Sequence, residues 1–326
     1  MNTAKKIVFL GTGGTIAGTA ATAGDNIGYT AAQVGIADLL ASVPALAGLV
    51  VQTEQVAQVD SKDMDFAVWA ALALRVAHWL ADSEVQGVVI THGTDTLEET
   101  AFFLHSVLRP TKPVVLTCAM RPATALAPDG PQNLTDAIAV ALAPQAQGVV
   151  VVCAGAVHSA QDVQKVHTYR LDAFDSGDAG PVGYVEEGAV GLMRNWPLAQ
   201  EGRAQVALKS IANGAVWPRV EIVTSHAGAN GALVDALRVP PPAPVPHVQG
   251  FVVAATGNGT VHHALEAALL QAQADGLAVV RATRCTRGRV LPTAASTLPG
   301  AGGLSPVKAR IAMVLKLMAK PGAEQA

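Results

Sequence analysis

The chain has 326 residues, half of them hydrophobic and 14% charged, with a formal net charge of −3. That length fits two domains of ordinary size, and the near-neutral balance without blocks of like charge excludes an electrostatic footprint for nucleic acid or an anionic membrane. No apolar stretch reaches the roughly 18 residues that a bilayer span needs; three separated cysteines, Cys118, Cys153 and Cys285, read as buried reduced thiols, and the nine histidines lack zinc spacing, so no metal is implied.

The first predicted strand is "KIVFL", 6–10, which runs straight into "GTGGTIAG", 11–18. The preceding segment has two lysines but neither an apolar run long enough for a signal peptide nor a small-residue cleavage site, so a cytoplasmic location is expected. Further along, "VVQTEQV", "VQGVVI", "PVVLTCAM" and "QGVVVVCAG" read as strands, separated by helical patterns such as "MDFAVWAALALRVAHWLAD", "ETAFFLHSVL" and "NLTDAIAVALA". Strands with little polar alternation, each followed by a helix, predict an α/β fold with a parallel-type sheet flanked by helices.

The rhythm weakens after "GPVGYVEEGAVGLM" and returns at "PRVEIVTSH". The expected organisation is a larger N-terminal α/β domain over 1–190, a connection over 191–217 and a smaller C-terminal α/β domain over 218–326. "VPPPAPVPH", 239–247, reads as a rigid surface loop between a helix and a strand.

In an open parallel sheet, ligands sit beyond the carboxyl ends of the strands. Four polar stretches fall there: "GTGGTIAG", "QVDSKDM", "THGTDTLEET" and "CAMRP". The first lacks the last glycine of a dinucleotide fingerprint, since Ile16 occupies that place, and lacks the GK[ST] ending of a phosphate loop. What it offers instead is two hydroxyls, Thr12 and Thr15, on a backbone whose glycines let a small molecule approach. Either threonine could equally cap or brace the turn. In "THGTDTLEET", Thr94 and Asp95 lie together after a strand, while Thr96, Glu98 and Glu99 read as the capped, acidic and solvated first turn of a helix. A carboxylate there can pair with a substrate ammonium, and a threonine can position water or act as nucleophile.

Together, "GTGGTIAG", "GYTAAQVG", "DSKDM", "THGTDTLEET", "AMRP…DGPQNL", "DVQKVHTYRLDAF" and "TGNGT" resemble, in order and approximate spacing over about 7–316, the bacterial-type L-asparaginase (asparaginase/glutaminase) family. The resemblance implies an amidohydrolase in which a threonine attacks the side-chain amide of asparagine, ammonia leaves and water hydrolyses the resulting ester. No cofactor is implied. By motif position Thr15 is the nucleophile and Thr12 is structural. Tyr29 is the tyrosine of a mobile loop that Gly24 and Gly28 make flexible. Thr94, Asp95 and Lys165 form a second constellation, in which a lysine set beside other groups can act as base. Whether Lys165 acts through Thr94 or Tyr29 serves Thr15 directly stays open.

The resemblance further places Gly14, Ser61, Lys62, Gly93, Thr94, Asp95, Ala119 and Thr260 around substrate. Ser61 would hold the α-carboxylate, Asp95 the α-ammonium, Ala119 the amide through its backbone, and Thr260 would reach a neighbouring subunit's site in a homotetramer built as a dimer of dimers. Two departures stand out. Lys62 puts a cation where familiar members have a neutral or acidic residue, which opposes ammonium binding unless its stem turns away or pairs with Asp60 or Asp63. Residues 289–303, where those members carry a partner-subunit glutamate, contain no acid. Loss of one charge-assisted hydrogen bond weakens binding by roughly 1.5–3 kcal/mol. The alternatives are mixed asparaginase and glutaminase specificity, and a non-catalytic amino-acid-binding module of the same fold; a nucleotide-dependent oxidoreductase would rest on the opening glycines alone.

Overall fold

The uninterrupted apolar runs of the sequence become strands buried on both faces, which is why they show so little alternation. The computed structural model describes residues 6–22, 24–41, 43–198, 204–294 and 296–319, with the backbone alone over 204–207. In chain order the first part contains β1 (Lys6–Gly13), β2 (Thr19–Ala20), β3 (Tyr29–Thr30), α1 (Ile36–Leu40), β4 (Val50–Val59), α2 (Phe66–Ala81), β5 (Val85–Thr91), α3 (Leu97–Val107), β6 (Pro113–Thr117) and α4 (Gly130–Leu142). It continues with β7 (Gly148–Cys153), β8 (Ala156–Ser159), β9 (Gln164–Lys165), β10 (Phe174–Asp175), β11 (Gly183–Glu186) and β12 (Ala189–Leu192).

Eight of these strands form one sheet in the order β12-β11-β8-β7-β6-β5-β1-β4. From β4 to β7 all neighbours are parallel, whereas β8, β11 and β12 add antiparallel pairings at one edge. The sheet is therefore mixed but mostly parallel. The reversal occurs at the two-residue turn Ala154–Gly155, where both residues have positive φ, 50° and 76°. That is the hairpin geometry whose twist matches the flanking strands, and an alanine in its first place leaves little sequence signal.

On one face Ile7, Phe9, Val89, Val115 and Val150 cluster with Leu134, Ala137 and Ile138 of α4 and Ile36 and Leu40 of α1. α2 contacts β4 and β5, and α3 contacts β7. α2 buries Trp69, Leu72, Ala73 and Val76, one helical stripe. It starts at Asp65, whose side chain accepts from Val68 N, a conventional N-cap.

The later part contains α5 (Ala204–Ala212), β13 (Arg219–Thr224), α6 (Ala232–Arg238), β14 (Val248–Ala255), α7 (His263–Ala274), β15 (Ala278–Thr283) and α8 (Pro306–Met318). β13, β14 and β15 make a three-stranded parallel sheet. Val223, Phe251 and Val253 cluster with Val234, Leu265 and Leu269, and α8 contacts all three strands. The chain divides into compact units over 1–208 and 209–326, and that division falls inside the segment that the sequence reads as a connection. Among the described residues no helix is long and apolar enough to cross a membrane.

Candidate active site

The carboxyl ends of β1, β4 and β5 meet through backbone. Gly13 and Gly14 have φ of 102° and 83°, a region that L side chains rarely adopt. A Cβ added to Gly14 would lie 2.3 Å from Cα and N of Gly93, and one added to Gly93 would lie 2.4 Å from Ser61 Oγ. These glycines are therefore required by close approach. Thr15 opens the 3₁₀ turn Thr15–Ala17, is 7% exposed, and places its Oγ1 2.7 Å from the Tyr29 hydroxyl. Thr12, in contrast, donates to the Thr91 carbonyl at 2.9 Å and braces β1 against β5.

Tyr29 stands on a short hairpin, with β2 and β3 pairing antiparallel. At its tip Asp25 Oδ1 accepts from the backbone N–H groups of Ile27 and Gly28; those of Gly28 and then Ile27 hold the carboxyl below the usual carboxylate range. At its base, Ala20 N donates to Thr124 Oγ1 and Ala123 N to the Gly18 carbonyl, tying the hairpin to the loop after β6.

Across the Gly14–Gly93 contact lies the second group. Lys165 Nζ donates to Thr94 Oγ1 at 2.8 Å and to Asp95 Oδ1 at 2.7 Å. The Lys165 backbone N–H donates to Glu98 Oε2, so Glu98 buttresses this strand, where the sequence reading has it solvated. Asp95 N donates to Ser61 Oγ at 3.1 Å, and Thr96 Oγ1 donates to the Ser61 carbonyl at 2.7 Å. Thr96 occupies the N-cap place of α3 without capping it through its side chain; its hydroxyl joins the β4 and β5 loops instead.

Sequence reasoning missed the support beneath Thr94. Trp69 Nε1 lies 2.8 Å from Thr100 Oγ1, Thr100 Oγ1 2.9 Å from His92 Nε2, and His92 Nδ1 2.7 Å from the Gly93 carbonyl. The indole N–H can only donate and the carbonyl can only accept. The polarity of the chain follows: Trp69 donates to Thr100, Thr100 to His92, and His92 through Nδ1 to Gly93. Complete burial pushes the His92 pKa down from 6.5 to about 4, which keeps the ring in this neutral tautomer. Nothing in the string "THG" distinguishes such a histidine from a reactive one, because the chain that fixes it runs through Thr100 of α3 to Trp69 of α2.

The loop after β6 is held from α4. Asp129 accepts from the backbone N–H groups of Met120 and Arg121 at 2.9 Å each. Asn133 donates to the Cys118 carbonyl at 2.9 Å and accepts from Ala154 N at 3.0 Å, bridging the ends of β6 and β7 around the fully buried Ala119. Contact with the Cys153 thiol and burial push the Cys118 thiol up. Cys285 is exposed, unlike the buried thiol that the sequence suggests, because it follows the end of β15.

Comparison with known proteins bears on the whole chain. Residues 6–198 match the family model described as "Asparaginase, N-terminal", and residues 219–326 match "Glutaminase/Asparaginase C-terminal domain". The chain belongs to the asparaginase family. It is 36% identical over 317 residues to L-asparaginase 2 of Bacillus subtilis, covering 95% of this chain and 82% of that one. With the glutaminase-asparaginase of Pseudomonas fluorescens it shares 36% over 285 residues, covering 86% and 76%. The crystal structure of a probable cytoplasmic L-asparaginase from Campylobacter jejuni superposes with a TM-score of 0.87 at 34% identity, over 98% of this chain and 97% of that one.

In this asparaginase Lys62 pairs with Asp60 at 2.7 Å and Asp63 at 3.0 Å and is 61% exposed; the two carboxylates, Asp60 first, raise its pKa. Its charge is thus locally balanced. The structure brings Gly14, Thr15, Tyr29, Ser61, Gly93, Thr94, Asp95 and Lys165 into one connected set, with Ala119 at the end of β6 two strands from β1. Thr260 belongs to the second unit, where it closes a tight turn by donating from N to the Thr256 carbonyl at 2.8 Å. Arg281 fastens that turn to the acid-free segment by donating to the Gly259 carbonyl and to Ser296 Oγ.

Proposed function

We propose that this asparaginase, an amidohydrolase, hydrolyses L-asparagine to L-aspartate and ammonia with Thr15 as nucleophile. The observation that carries the reading is the pair of buried threonine hydroxyls on either side of the Gly14–Gly93 contact, each with its own partner: Tyr29 for Thr15 and Lys165 for Thr94. Thr15 Oγ1 attacks the amide carbon while its proton passes by way of the Tyr29 hydroxyl to the amide nitrogen; the C–N bond breaks and that nitrogen leaves as ammonia. Water, held at the Thr94 hydroxyl with Lys165, then cleaves the aspartyl ester and restores Thr15. Ser61 Oγ already accepts from Asp95 N, and its own proton, which has no acceptor among the described residues, is available for a substrate carboxylate. Asp95 uses Oδ1 on Lys165, which leaves Oδ2 for the α-ammonium. Gly14 and Gly93, packed against each other, bring the two threonine loops to either side of the amide, with the Ala119 backbone beside it.

We further propose a cytoplasmic homotetramer, a dimer of dimers in which Thr260 of one copy completes the site of another; the likeness to the Campylobacter jejuni protein supports the location. A second reading, mixed action on asparagine and glutamine, is favoured by the Pseudomonas fluorescens relative and by the balanced charge of Lys62. One extra methylene in a pocket changes discrimination by only about 1–3 kcal/mol. Ammonia release from each amide by the purified enzyme and by Thr15→Ala tests both readings. The proposal expects release from L-asparagine to vanish in Thr15→Ala while the fold persists; unchanged release would overturn the role of Thr15. Equal rates on the two amides would select mixed specificity.

A further inference from the structure

Directly behind the Thr15 turn lies a cavity of about 160 Å³ whose walls include Ile16, Val34, Leu39 and Leu134, with Arg121 and Asp38 among its lining residues. None of the hydroxyl groups of the candidate active site lines it, and Ile16 belongs to the core cluster with Ile36 and Leu40 of α1 and Leu134 of α4. The two charges are unspent. Arg121 donates one guanidinium N–H to the Ala127 carbonyl, leaving the rest of its five donors available. The Asp38 carboxylate has no hydrogen-bond or ion-pair partner among the described residues.

We infer that this cavity is a binding site for a small zwitterion with a branched aliphatic body, of the class of the free aliphatic amino acids. Three features point to that chemistry. A pocket of this volume, open to solvent on the side of the exposed Asp38 and Pro131, holds an apolar group of about six heavy atoms, enough for a four-carbon side chain with its Cα. Apart from Arg121 and Asp38 every lining residue is apolar, which disfavours a polar side chain. The guanidinium offers a two-pronged partner for a carboxylate, and the carboxylate of Asp38 a partner for an ammonium.

The site would also communicate with catalysis. Its wall residue Ile16 follows the proposed nucleophile, and an added Cβ at Gly130 would lie 3.0 Å from Ile16 Cγ1, so this packing has no slack. Ala123, another wall residue, donates to the Gly18 carbonyl at the base of the Tyr29 hairpin. An occupant therefore presses on the elements that hold both Thr15 and Tyr29.

Calorimetric titration with L-leucine, with and without saturating L-aspartate, tests the inference. The expected result is binding with a Kd on the order of 1 mM that persists with L-aspartate present and in Thr15→Ala, and is lost in Val34→Phe, where the ring fills the cavity. Arg121→Gln is expected to weaken it at least about tenfold, and 4-methylpentanoate, which lacks the ammonium, to bind more weakly than L-leucine to wild type but equally to Asp38→Asn. Because Val34 is only half-buried, that variant is judged by comparison with Leu134→Phe, with folding of both checked by circular dichroism. No heat with L-leucine, displacement by L-aspartate, or undiminished binding in the folded cavity-filling variants would overturn the site.

Discussion

The loops after β1 and β5 end neighbouring parallel strands and each presents a nearly buried threonine, yet they are built differently. Thr15 is held from above by a tyrosine on a two-stranded hairpin whose tip is tied mainly by its own Asp25 turn. Thr94 is held from below by the Trp69–Thr100–His92–Gly93 chain and from the side by Lys165. Under the proposed roles Tyr29 moves with its hairpin as substrate enters, whereas the second loop is tied into the core. A nucleophile that must accept and release a substrate benefits from a movable partner, and a water-positioning group benefits from a fixed one.

The largest expected effect breaks the symmetry of the two hydroxyls. Thr15→Ala and Thr94→Val should each lower ammonia release by about 10³-fold or more. Rapid-quench mass spectrometry should show an aspartyl adduct accumulating on Thr94→Val and none on Thr15→Ala. Adduct on the Thr15 variant would reverse the two roles.

Next is the fixed side. His92 has its folded pKa depressed to about 4 from 6.5, so between those values the unfolded chain binds a proton that the folded chain does not. Stability from this histidine is full above pH 6.5, falls as pH drops toward 4, and is exhausted below it. The loss amounts to about 3 kcal/mol. Urea unfolding across pH 4–7 should show that slope in the wild type and a flatter profile in His92→Gln; parallel slopes would remove His92 from the account.

A smaller effect belongs to the movable side. Tyr29→Phe removes one hydrogen bond to Thr15 and should lower kcat about tenfold with little change in Tm, since the ring stands on a hairpin outside the main core. A large fall in Tm would mean that the hairpin is structural. The smallest effect is expected at Lys62: with Asp60 and Asp63 already pairing its ammonium, Lys62→Gln should alter KM by less than about twofold. A fall in KM well beyond that would show that the cation faces the substrate ammonium.

The alternation of apolar runs and helical patterns made the α/β class, the two-part organisation and the strand-end location of the polar motifs legible, because each depends on residues close in sequence. The glycines of "GTGGTIAG" were readable as making room, but what they make room for is Gly93, some 80 positions away. The antiparallel edge was hidden because its turn begins with Ala154, which carries no turn signature. His92, Thr100, Asp129 and Asn133 were invisible as supports for the same reason: their roles depend on which helix lies beneath which strand end.

The chain's sequence by itself determined which hydroxyls, carboxylates and lysine are available and that they follow strands, since motif chemistry and hydrophobic period are local properties. Only the tertiary structure decided that Thr12 braces while Thr15 meets Tyr29, that Glu98 supports Lys165, and that Lys62 spends its charge on Asp60 and Asp63. Hydrogen bonds depend on distance and angle between groups many residues apart, and packing of the sheet against its helices is what sets those distances.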